Sequence, residues 1–176
     1  MDEESLIAGC IKGNQIAQKT LFDGFSPKFF ALCLRYMKST DDAEDVLQEG
    51  MVKIFTKLPE YKGKGSFEGW MRRIVVNTCL DQIRKNQKLK FDVSIDQEEY
   101  KLSINGHILE NMSANELIEE IKKMPPGYRV VFNMFAIEGY SHQEIAEKLG
   151  VKESTSKSQY LRARAYLKER ISKQDD

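Results

Sequence analysis

Apolar residues recur at three- and four-residue spacing along most of this chain, and the rhythm lapses in one long stretch, residues 91–112. Such a pattern builds helices. A half-buried strand needs strict alternation, which appears only briefly at Val93 and Ile95. The lapse divides the 176 residues into bodies of about 90 and about 60 residues, each large enough for a small core, the smaller marginal by itself. We therefore expect an all-α protein of two small helical domains, residues 1–90 and 113–176, joined by a flexible linker over residues 91–112.

Local signals mark where helices begin and end. Asn14 is placed to cap one helix, and Ser26-Pro27 to cap and open another. Thr40 precedes Asp41 and Asp42, whose carboxylates suit the positive end of a helix. Ala43, Leu47, Met51, Ile54 and Leu58 then form a core stripe. Gly50 within that helix costs roughly 1 kcal/mol relative to Ala, so a packing reason is expected there. Tyr61-Lys62-Gly63-Lys64-Gly65-Ser66 breaks the pattern as a basic loop, and a long helix is expected over residues 67–88. In the second body, Ser113 and Glu116 have capping-box spacing, and Pro125-Pro126 separates the first helix from the next.

Composition narrows the function classes. The chain opens with acidic residues and contains no apolar run long enough to span a bilayer, which predicts a cytoplasmic protein without membrane insertion. Cys10, Cys33 and Cys79 are unpaired in spacing, so neither a disulfide framework nor a zinc site is expected. His142 reads as a surface residue, and Ser141-His142 has no orienting acid, so no enzyme and no cofactor is expected. The formal net charge is zero, yet the charges are segregated. Residues 71–90 carry six basic side chains against one acid, and residues 152–173 carry seven against two. A bipolar chain with two cationic segments fits nucleic acid in a way that a uniformly neutral one does not.

Ser141-His142-Gln143-Glu144 is a second capping box, Gly150 ends the short helix it opens, and another helix is expected over residues 153–171, with Val151 as a buried turn residue. Tyr160, Ala163, Leu167 and Ile171 give that helix its buried side. The pattern is a helix-turn-helix. On the opposite side Ser154, Lys157, Ser158, Leu161 and Arg162 gather near the N-terminal half, where side chains reach the major groove. Lys157 and Arg162 suit phosphates or guanine edges, Ser158 suits either, and Leu161 suits a thymine methyl.

On the 67–88 helix, Phe67, Trp70, Met71, Ile74 and Thr78 point to a core, while Arg73, Asn77, Asp81, Arg84 and Lys88 share another stripe. With Lys62 and Lys64 of the preceding loop, that stripe suits single-stranded DNA, its cations tracking phosphates and an aromatic ring or amide receiving an unstacked base. Asp81 and Lys85 have the spacing of an i, i+4 pair. The preceding helix is opposite in character. Asp41, Asp45, Gln48 and Val52 line one exposed face with Asp42 and Glu49 nearby, an arrangement suited to a basic protein surface.

Asp42-Ala43-Glu44-Asp45-Val46-Leu47-Gln48-Glu49, Gly65-Ser66-Phe67-Glu68-Gly69-Trp70-Met71-Arg72-Arg73-Ile74, and Gly139-Tyr140-Ser141-His142-Gln143-Glu144-Ile145-Ala146 stand in that order along nearly the whole chain. Together they resemble the extracytoplasmic-function sigma factors, the two-domain group of bacterial sigma subunits. The resemblance implies that the first motif binds the clamp helices of the RNA polymerase β′ subunit. Asn77 and the 61–66 loop would hold a flipped-out base of the minus-ten element. The helix-turn-helix would read the minus-thirty-five element, with Thr155 among its contacts. A further contact with the β flap, an anti-sigma factor, and passage of the acidic linker through a polymerase channel are also implied. Glu153-Ser154-Thr155-Ser156-Lys157-Ser158-Gln159 is similar to the Bacteroidetes version. Ser156, Gln159, Leu161 and Gly50 depart from the usual family pattern, departures that bear on which promoter is read. The rival expectations are a one-component helix-turn-helix regulator and a helical protein-binding adaptor.

Overall fold

The computed structural model of the chain describes residues 2–86 and 113–172, and the side chains of all of these except Ser172. Every regular element among them is helical, and the chain divides into two compact units, Met1–Asn86 and Gln87–Asp176. The expected linker and Lys88 lie outside the described residues.

In the first unit, Asp2 caps α1 (Glu3–Ile11) and Asn14 caps α2 (Gln15–Tyr36), its side chain accepting from the amides of Ile16 and Ala17. Ser26-Pro27 opens no helix. Pro27 lies inside α2, and the expectation of a break there is corrected. An internal proline costs about 3 kcal/mol, through a lost hydrogen bond and a clash with the preceding turn. The cost is offset because Ala17 and Leu21 before it, and Phe29, Leu32, Cys33 and Tyr36 after it, are all buried. Ser39 caps α3 (Thr40–Lys57), accepting from the Asp42 amide, so Asp41 and Asp42 occupy the first turn. The expected stripe from Ala43 to Leu58 is buried throughout.

Helix α4 (Phe67–Lys85) packs against both α2 and α3. It buries Phe67, Met71, Val75, Val76, Cys79, Leu80 and Ile83, a broader face than the one expected, and leaves Trp70 and Ile74 half-buried. Gly50 faces Val75 of α4, where a Cβ would lie 3.4 Å from Val75 Cγ2 and 3.8 Å from Val75 Cα, so the packing leaves room for a methyl and sets a limit on anything larger. All three cysteines are free and buried, and the Cys79 thiol lies 3.9 Å from Cys33 Sγ between α4 and α2.

The second unit opens with α5 (Ala114–Lys123), held by the reciprocal capping box of Ser113 and Glu116. Pro126 starts α6 (Pro126–Phe132), which runs into a π turn, Asn133–Ile137. Gly139, with φ of 79°, allows the chain to fold back, and the Tyr140 amide donates to the Met134 carbonyl. A capping box of Ser141 and Glu144 then opens α7 (His142–Leu149), and Gly150 ends it in the left-handed region. Val151 is half-buried, not buried as expected. Helix α8 (Glu153–Ser172) closes the unit against α6 and α7. Its Ala163 and Leu167 join Ile121, Met124 and Phe132 in the core, flanked by Leu117, Tyr128, Tyr160, Tyr166 and Ile171.

Candidate nucleic-acid interface

In α8, helical periodicity sorts the polar residues onto two sides. Ser154, Lys157 and Leu161 are exposed, and Ser158 and Arg162 are half-buried beside them. These five expected residues therefore share one accessible face. Lys157 pairs with Glu153 at 2.8 Å, an exposed i, i+4 contact that a phosphate can replace. The Glu153 carboxyl is held below its ordinary range by that ammonium. Ser158 Oγ donates to the Thr155 carbonyl at 3.0 Å and keeps lone pairs for a second partner.

Thr155 is not on this face. It is 7% exposed and leads the inward stripe Thr155, Gln159, Ala163, Leu167, so its expected DNA contact is corrected. Two of the departures from the family pattern are buried on the inner side of α8 as well. Ser156 and Gln159 are buried, so they form part of the seam that holds α8 and not of the surface that reads.

The seam also contains a residue that the sequence reading assigned to the surface. His142, the first residue of α7, is half-buried. Its Nδ1 lies 2.9 Å from Ser156 Oγ, and its ring stacks on Phe135 of the π turn at 4.1 Å with 10° between planes. Burial, and after it the Lys157 ammonium, push the imidazole below its ordinary value, while Glu153 pulls the other way. The i, i+4 spacing back from Ala163 would have placed Thr155 and Gln159 inward. Nothing in the local sequence signals the ring stack.

In the first unit, the 61–66 loop is tied to the start of α4. Tyr61 donates its hydroxyl to the Gly65 carbonyl at 3.0 Å, and its ring meets Phe67 at 5.1 Å and Trp70 at 5.2 Å. Gly63 and Gly65 take φ of 66° and 81°, which side-chain-bearing residues resist. Lys62 and Lys64 are left exposed. Trp70, Arg73 and Asn77 follow at i, i+3 and i+7 on one stripe, about 10 Å long at the helical rise of 1.5 Å per residue. Arg73 and Asn77 are exposed and Trp70 half-buried, so cation, amide and aromatic face solvent along a line that a short single strand could follow. Further along, Arg84 is also exposed and pairs with Asp81 at 3.3 Å.

The acidic face of α3 stands as expected, with Asp41, Asp45, Gln48 and Val52 exposed, Val52 by 64%. Asp42 and Glu49 are half-buried at its margin. The sequence reading missed Lys53. It holds Glu49 at 2.7 Å and reaches Asp81 of α4 at 3.8 Å, so the margin of the acidic face and the cationic stripe meet at one ammonium. That contact lowers the Glu49 carboxyl below its usual range. The i, i+4 spacing of Glu49 and Lys53 could have revealed the first half of this link. Asp81 and Lys85 have i, i+4 spacing, but Asp81 pairs with Arg84 and Lys53.

Comparison with known proteins places these surfaces in a family context. Residues 21–89 match sigma-70 region 2, and residues 114–167 match sigma-70 region 4, together more than half of the chain. The chain is 28% identical to the ECF RNA polymerase sigma factor SigE of Mycolicibacterium smegmatis, an alignment covering 83% of this chain and 58% of that protein. It is 27% identical to the ECF RNA polymerase sigma factor SigW of Bacillus subtilis, covering 91% of each. Among solved structures, the sigma factor RpoE of Bartonella quintana, in complex with the anti-sigma factor NepR, superposes with a TM-score of 0.55 at 20% identity. The match covers 90% of this chain and 98% of that one, and it shows a shared fold.

Proposed function

The chain belongs to the sigma-70 family of RNA polymerase sigma factors, in its extracytoplasmic-function group, and from that membership we propose how its surfaces divide the work of promoter-specific initiation. The α3 face of Asp41, Asp45, Gln48 and Val52, with Asp42 and Glu49 at its edge, docks on the clamp helices of the polymerase. Lys62, Lys64, Arg73, Asn77 and Arg84, with Lys88 beyond the described residues, hold the melted minus-ten strand. Ser154, Lys157, Ser158, Leu161 and Arg162 read the duplex minus-thirty-five element.

The observation that carries this reading is the adjacency, within one unit, of an exposed acidic face on α3 and an exposed cationic stripe on α4, joined at Lys53. Opposite charge on neighbouring helices lets one body bind a basic protein surface and a phosphate backbone at once. Residues 1–90 serve as sigma region 2, residues 113–176 as region 4, and residues 91–112 as the tether between them. Each unit binds DNA weakly alone, and the core enzyme fixes their spacing so that both bind together. From family membership we infer a non-enzymatic role in the cytoplasm. No helix of the described residues is long and apolar enough to cross a membrane. An anti-sigma factor is the expected regulatory partner, and the α8 run Glu153 to Gln159 supports a Bacteroidetes-like subgroup.

Transcription from a pool of genomic fragments with purified core polymerase tests this. Promoter-specific transcripts that require the chain are expected. DNA binding by the chain alone, with no core-dependent transcripts, would instead indicate a one-component regulator. Unchanged transcription from the Lys157→Ala, Arg162→Ala double variant would indicate an adaptor.

A further inference from the structure

The reading half of α8 is held differently from its other half. Ala163 and Leu167 anchor the C-terminal half in an apolar core, whereas the N-terminal half buries Thr155, Ser156 and Gln159. Apolar contact is non-directional and tolerates small slides of one helix over another. A polar seam is directional, and its hydrogen bonds specify register. Across this seam, His142 Nδ1 meets the fully buried Ser156 Oγ at 2.9 Å. The other face of the bridge is equally constrained, because the imidazole stacks on Phe135 at 4.1 Å and lies 5.8 Å from Tyr160 of α8 itself. The ring thus touches the π turn, α7 and α8 together.

We propose that His142 is a positioning residue for duplex reading: through Ser156 it locks the first turn of α7 to the inner side of α8, and so sets the roll of α8 that aims Lys157, Ser158, Leu161 and Arg162 outward. Ser156 precedes Lys157 and lies roughly 100° around the helix from it, so a shift at Ser156 is carried directly to the reading face. His142 itself touches no base in this scheme. The inference rests on the assignment of α8 to promoter duplex above.

The test uses full-length protein bound to core polymerase, on the most strongly transcribed fragment recovered from the genomic pool and on the same fragment with its upstream element scrambled. His142→Ala and Ser156→Ala are each expected to reduce discrimination between the two fragments about fivefold, the equivalent of about 1 kcal/mol, while core binding is unchanged. The double variant is expected to be no worse than His142→Ala, because the two residues act through one bond. His142→Asn, whose amide occupies the place of Nδ1, is expected to recover most of the discrimination. Additive losses in the double variant, or full discrimination by His142→Ala, overturn the proposal. A loss of melting temperature that tracks the loss of discrimination and is not relieved by His142→Asn also overturns it. Absence of core-dependent transcription by the unaltered protein would instead sink the sigma-factor assignment, an outcome distinct from all of these.

Discussion

Arg129 of α6, 2% exposed, donates from Nη1 to the Lys122 carbonyl in the last turn of α5 at 3.0 Å. Tyr166 of α8 donates to the next carbonyl, Lys123, at 3.1 Å. Two helices thus satisfy the open C-terminal end of a third, at the cost of burying a guanidinium, which pushes the Arg129 group below its ordinary value. Arg129→Ala leaves that carbonyl without its donor and opens a cavity, and is expected to destabilise the second unit by about 3 kcal/mol. Arg129→Met fills the space and removes the buried charge, so its loss should be less than half as large. Urea unfolding of the two variants checks the order.

At Gly50, the approach of Val75 sets a size limit. A single methyl at 3.4 Å from Val75 Cγ2 makes ordinary contact, and alanine gains up to about 1 kcal/mol of helix propensity. Gly50→Ala should therefore match or exceed the parent in thermal stability. Gly50→Leu forces α3 away from α4 and is expected to cost about 1–3 kcal/mol. A lower melting temperature for Gly50→Ala would show that α3 and α4 cannot accommodate even the methyl.

On the proposed assignment of α8 to duplex DNA, its buried polar seam and its exposed face give separate readouts. In the polymerase complex, Lys157→Ala and Arg162→Ala should each lower the slope of log affinity against log salt by about 1 for a lost phosphate contact. Thr155→Ala should leave that slope unchanged and instead lower the stability of the second unit by about 1 kcal/mol, through the lost packing of its buried methyl. Fluorescence anisotropy on promoter DNA at several salt concentrations, with parallel thermal melts, distinguishes the two effects.

Acidity provides another measure of the seam. The folded protein holds His142 below its ordinary value of 6.5 because the ring is desolvated and faces Lys157, with Glu153 opposing. The unfolded chain then binds the proton more readily, so stability rises with pH in this window. The His142 contribution is complete above about 6.5 and is lost as pH falls through the folded value. Melting temperature should decline on acidification below that point in the parent protein and decline less in His142→Asn. The carboxyls of Glu116, Glu119 and Glu153, also lowered, contribute their losses at more acidic pH, below their ordinary 4.5.

Capping boxes at Ser113 and Ser141, the stop at Gly150, the stripe from Ala43 to Leu58 and the outward cations of α4 and α8 were all legible in the order of residues. Each depends on chemistry confined to one helical turn or on the 3.6-residue period, so a short window contains its cause. Pro27 inside α2, the ring of Phe135 under His142, the bond from His142 to Ser156, and the bridge from Lys53 to Asp81 were not. Each was decided by groups far away along the chain, where apolar burial outweighed a local propensity or a hydrogen bond joined separate helices. Sequence by itself determined which segments are helical and which stripes carry charge; the tertiary structure decided which polar side chains face solvent and which are spent holding the helices in register, because only packing brings their partners within reach.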